Sequence, residues 1–118
     1  MCAKPSPRLA AVLQHLRSEF EIDGTELLDL MASLRANFGE LQTAMHDSLA
    51  HSQWQDLSRV GHSLKGVAGN IGQDDLKQLG YSLEVTAAEG DRAKAEPLVR
   101  QIDALLAEFA APDGAETV

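Results

Sequence analysis

The chain has little of what fastens small proteins covalently or through metals. Its single cysteine, Cys2, cannot form an internal disulfide and has no second thiol for a metal site. Aromatic residues make up only 4% of the sequence, so a sheet would be short of the side chains strands prefer. No apolar run approaches the ~18 residues of a membrane span, and the first residues contain no signal-peptide core, which points to the cytoplasm. Basic residues are outnumbered, 10 Lys and Arg against 18 Asp and Glu. The resulting charge of −8 makes nucleic acid and anionic membranes poor partners. That acid is spread along helix faces, where it favours solubility.

What remains is a chain of 118 residues, enough for one domain, rich in the helix formers Ala and Leu. Residues 1–7, with Pro5 and Pro7, read as a flexible arm, 8–111 as a helical domain and 112–118 as a flexible tail. Leu9, Val12, Leu13, Leu16 and Phe20 mark a first helix. Asp23 and Glu26 form a capping-box pattern opening a long helix. Its stripe is Leu27, Leu30, Met31, Leu34, Phe38, Leu41, Met45 and Leu49. Ser52 and Gln55 repeat the capping pattern before a third helix, and Gly72 is placed to end it. Asp74 and Asp75 fit the first turn of a fourth, whose stripe is Leu76, Leu79, Leu83 and Ala87, with Gly80 on the same side allowing close approach. Gly90-Asp91 separates it from a last helix carrying Leu98, Val99, Ile102, Leu105, Leu106 and Phe109. Pro97 predicts a bend or a later start there. The expected fold is all-α, an antiparallel four-helix bundle with an additional N-terminal helix.

The third helix carries the chemistry. At about 100° per residue, Leu57, Val60, Leu64, Val67, Ala68 and Ile71 fall in a sector opposite His62. Burial of each larger member contributes about 1.5–3 kcal/mol, so this stripe decides which face turns inward and leaves His62 outside. Beside His62 lie Ser58 and Arg59 one turn back, Lys65 and Gly66 one turn on, and Gly69 two turns on. Two glycines on an exposed helical face cost about 1 kcal/mol each relative to alanine. The expected return is room for another protein's backbone or phosphate site to approach the imidazole.

An exposed imidazole is largely neutral near neutral pH and offers a nitrogen lone pair to an activated phosphoryl group. The product carries about two negative charges, which Lys65 can offset. At ~4 Å and an effective dielectric of 20 to 80 the attraction is ~1–4 kcal/mol, screening favouring the lower end.

His62-Ser63-Leu64-Lys65-Gly66, followed by Gly69, Gly72, Leu76, Leu79 and Leu83-Glu84, resembles the signature of histidine-containing phosphotransfer (HPt) domains. The similarity is close from Leu57 to Glu84, and the helix pattern agrees from about Thr25 to Phe109. The resemblance implies His62 as phosphoacceptor, Lys65 assisting the phosphoryl group, and a partner receiver domain supplying aspartate and Mg²⁺. It also implies receivers of response regulators or hybrid histidine kinases docking over the two helices around His62. Gly66 and Gly69 would leave them room. The chain itself is expected to be a monomeric phosphocarrier, not an enzyme with turnover, holding no cofactor or metal.

An antiparallel return from Gly72 sets Glu84 beside His62, where it can orient the imidazole but would repel the phosphorylated ring. Gln55 and Arg59 flank His62 by geometry, with Asn70 nearer the edge, and are candidate partner contacts together with Ser58. Met31 and Met45 read as core, and Trp54 as a core or rim aromatic. His46 and His51, five residues apart near a helix end, admit a shared metal, an alternative their surroundings do little to support. There is no glycine-rich phosphate loop for a kinase nucleotide site. A phosphoaccepting fragment of a larger hybrid or chemotaxis-type sensor and a receiver-binding adaptor without chemistry remain as alternatives. The initial Met and short tails favour a free-standing chain.

Overall fold

Glycines and turn residues divide the chain into amphipathic stretches, and each becomes a helix. The computed structural model describes residues 7–20 and 24–109. In order these form α1 (Pro7–Phe20), α2 (Gly24–Ala50), α3 (Trp54–Asn70), α4 (Asp74–Ala88) and α5 (Arg92–Ala107), with no strand among the described residues. Helices α2 to α5 make an antiparallel bundle and α1 is the additional N-terminal helix, packing on α2. No helix among the described residues is long and apolar enough to cross a membrane.

The core follows the stripes. Met45, Leu57, Leu64, Leu76, Leu83 and Ile102 are fully buried, and Phe38 meets Phe109 with ring centroids 5.1 Å apart. Met31 is also core, whereas Leu30, placed on the same stripe by spacing, is 39% exposed. A 27-residue helix drifts relative to any fixed apolar repeat, and Leu30 lies at the edge of the buried arc.

Turns are built as glycine permits. Gly72 takes φ +73°, and beside it the amide of Gln73 donates to the Ala68 carbonyl at 2.9 Å, closing the end of α3. Gly90 (φ +67°) ends α4 likewise, and Asp91 caps α5 by accepting from the Lys94 amide at 3.1 Å.

One sequence expectation is corrected, and one of two alternatives is excluded. The Ser52–Gln55 capping box does not form: the residue preceding α3 is Gln53, with no side-chain cap. Ser52 sits at φ +54°, and its hydroxyl instead accepts from Arg92, 2.6 Å away. Arg92 also donates to the Leu49 carbonyl and covers the half-buried Trp54 ring, pinning the α2–α3 turn to the start of α5. Of the bend or later start expected from Pro97, the later start does not occur, because α5 begins at Arg92 and runs through it. The missing amide leaves the Ala93 carbonyl without its usual helical donor, at a residue that is exposed. Pro7, by contrast, opens α1, where a fixed φ and absent amide cost nothing.

Helix α1 is held by Val12 and Leu16, both buried, and by Arg8. The guanidinium donates to Gln73 (2.6 Å) and to both Asp75 oxygens (2.7 and 2.5 Å), and its Nε reaches Glu108 at 3.3 Å. This hydrogen bonding holds the Asp75 carboxyl below the usual carboxylate range. The arm over 1–6, Asp23 of the first capping box, the side chains of Leu9 and Phe20, and the tail over 112–118 lie outside the described residues.

Candidate functional site

The inward stripe of α3 is seated as its spacing requires, with Leu57, Val60, Leu64, Ala68 and Ile71 buried. The opposite face is therefore open, and the His62 side chain is 68% exposed. A cleft of about 620 Å³, lined in part by Leu34, Asn37, Val67 and Asn70, lies between α2 and the end of α3 and does not include His62.

The imidazole is exposed but not free to turn. Its Nδ1 lies 3.1 Å from Oε2 of Glu84, which α4 brings alongside. An ionised carboxylate can only accept, so Nδ1 carries the proton and the neutral ring keeps its lone pair on Nε2. Lys65 Nζ lies 3.4 Å from Oε1 of the same carboxylate, an ion pair without hydrogen-bond alignment. Glu84 thus bridges His62 and Lys65. Lys65 also stands 5.2 Å from the Tyr81 ring centroid.

The remaining sequence candidates separate by environment. A Cβ added at Gly66 would meet nothing within 4 Å, and one at Gly69 would meet only the Lys77 side chain, at 3.8 Å. No internal packing requires either to lack a side chain. Gln55 and Arg59 are exposed on the His62 side, Arg59 paired with Asp56 at 3.3 Å, and Asn70 is exposed at its edge, where it lines the cleft towards α2. Ser58 is half-buried, and its hydroxyl donates to the Glu84 carbonyl at 2.9 Å, so its bond is to α4. Gly72 is the turn. His46 bonds Asp103 (2.8 Å) and His51 the Asp47 carbonyl (2.9 Å), so the two share no partner. Among the described residues no group of three or more His, Cys, Asp or Glu could hold a metal.

Sequence reasoning missed Gly61. A Cβ there would stand 2.5 Å from the Glu84 amide nitrogen and 2.7 Å from the Gly80 carbonyl oxygen. One at Gly80 would stand 2.8 Å from the Lys65 amide. Their bare backbones let α3 and α4 touch directly beneath His62 and Glu84. Gly61 lies at the border of the apolar sector, and that position was the available signal.

The described residues thus form an all-helical bundle whose α3 presents a hydrogen-bonded imidazole to solvent, beside a lysine and bare backbone. The family profile of the Hpt domain matches residues 15–112, and the chain belongs to that family. Hpt domains serve histidine phosphotransfer in phosphorelays as phosphocarriers. No curated protein and no solved structure gave a significant match.

Proposed function

We propose that this protein accepts a phosphoryl group on His62 Nε2 and passes it to or from receiver-domain aspartates of response regulators or hybrid histidine kinases in a multistep phosphorelay. The observation that carries this reading is the Nδ1–Glu84 bond on an exposed ring, which leaves Nε2 as a nucleophile facing solvent. In the step, the Nε2 lone pair attacks the phosphorus of an aspartyl phosphate. A P–N bond forms, the P–O bond to the aspartate breaks, and the carboxylate leaves with the bonding pair. The ring gains positive charge while keeping its Nδ1 proton, which Glu84 stabilises; Lys65 offsets the phosphoryl oxygens. Transfer onward reverses these changes.

Gln55, Arg59, Gly66, Gly69 and Asn70 form the face a receiver would cover, as a monomeric carrier in the cytoplasm would present it. Incubation with a phosphorylated receiver tests the reading. It expects an acid-labile, alkali-stable phosphate on the wild type that is absent from His62→Gln. Receiver binding without any labelling would replace it with an adaptor role.

A further inference from the structure

We infer that Tyr81 is a positioning residue that holds the Lys65 ammonium between its ring and the Glu84 carboxylate, within reach of His62; this rests on the phosphotransfer reading above. Tyr81 is the only tyrosine and is 51% exposed, a large aromatic that the core does not use. Its ring is nevertheless engaged, because Lys65 Nζ lies 5.2 Å from its centroid. Tyr81 precedes Glu84 by three residues on α4, so both share one face of that helix. The ammonium therefore touches two groups of α4 at once, the Tyr81 ring and a Glu84 carboxylate oxygen 3.4 Å away.

Both contacts matter because of what a lysine is otherwise. Its four-carbon stem carries a strongly hydrated charge through many rotamers, and the half-buried pair with Glu84, which lacks hydrogen-bond alignment, does not by itself fix the direction of the head group. Two attractions from one helix face restrict the same head group together. The close approach at Gly61 and Gly80 brings that α4 face near enough to Lys65 for the ring to serve. Lys65 is then already beside the imidazole when phosphate arrives, and it need only shift its contact from Glu84 towards the phosphoryl oxygens.

The test compares Tyr81→Phe, which keeps the ring, with Tyr81→Leu, each with Lys65 intact and with Lys65→Met. The readouts are the rate of phosphotransfer from a phosphorylated receiver and the NMR shifts of the Lys65 ε-methylene protons. With Lys65 intact, Tyr81→Leu should slow transfer about two- to fivefold, the range expected of an exposed cation–π contact. It should also abolish the ring-current shift on Lys65. Tyr81→Phe should keep both near wild type, and with Lys65→Met the two Tyr81 variants should transfer equally. A Tyr81→Leu loss that persists with Lys65→Met would mean that Tyr81 touches the receiver directly, and would overturn the inference. Equal transfer by Tyr81→Leu and wild type would overturn it too. Failure of wild type to label on His62 would instead remove the phosphotransfer reading, with the Lys65 shift still deciding whether Tyr81 holds the lysine.

Discussion

Gly61 on α3 and Gly80 on α4 pack backbone against backbone, so that a Cβ on either would overlap main-chain atoms of the opposite helix. Neither has a positive φ, so the need for glycine is one of space, not of backbone conformation. Gly61→Ala should therefore lower stability by about 1–3 kcal/mol, the usual range for overpacking, and push Glu84 away from His62. Thermal denaturation checks the first effect. Ring ¹⁵N shifts of His62 check the second, moving towards those of a variant that lacks the Glu84 carboxylate.

Gly66 and Gly69 predict the opposite sign. Gly66 has open space where a side chain would go, and Gly69 only ordinary contact with Lys77, so Gly66→Ala should stabilise the helix by roughly 0.5–1 kcal/mol. If receivers need that bare surface, Gly66→Leu should fold and yet transfer phosphate more slowly. Denaturation midpoints and transfer rates on one preparation separate the two effects. Unchanged transfer in Gly66→Leu would remove the steric role.

Glu84→Ala should release the imidazole. Without its acceptor the neutral ring becomes a mixture of tautomers, seen in ¹⁵N shifts, and a smaller share presents the Nε2 lone pair. Loss of a charge-assisted bond of about 1.5 kcal/mol corresponds to roughly tenfold slower transfer. Glu84→Gln, which keeps an acceptor without the charge, should fall between Glu84→Ala and wild type.

The Arg8–Asp75 contact predicts an acid-sensitive anchor for α1. Arg8 lowers the Asp75 carboxyl from its ordinary value of 3.8, so the folded chain binds that proton less readily than the unfolded chain. The stabilisation is complete above the ordinary value and is lost as pH falls below 3.8 through the depressed one. Arg8→Ala should cost about 1 kcal/mol at pH 6, as partly exposed pairs do, and the gap to wild type should narrow below pH 3.8. Urea denaturation of both proteins across that range measures it.

The bundle and the exposed imidazole were legible because both follow from periodicity: the stripe from Leu57 to Ile71 fixes one face inward and so fixes the other outward. Glu84 beside His62 followed from one glycine turn at Gly72 and an antiparallel return. Contacts decided by partners distant in sequence were not legible. Ser52 carries a local capping signature, but Arg92, 40 residues away, takes its hydroxyl. Ser58 lies near His62 on a helical wheel, yet its bond goes to the backbone of α4. The roles of Gly61 and Tyr81 depend on the register between α3 and α4, which no single helix encodes.

Where α3 passes His62 it offers peptide edges at 66 and 69 in place of side chains. A protein surface ordinarily loses rotational freedom when a partner arrives, at about 0.5–1.5 kcal/mol for each flexible side chain it immobilises. At these two positions nothing remains to immobilise, because the main-chain entropy was already lost when the helix formed. The weakness glycine brings to the folded chain is thus the counterpart of a smaller entropic penalty on association.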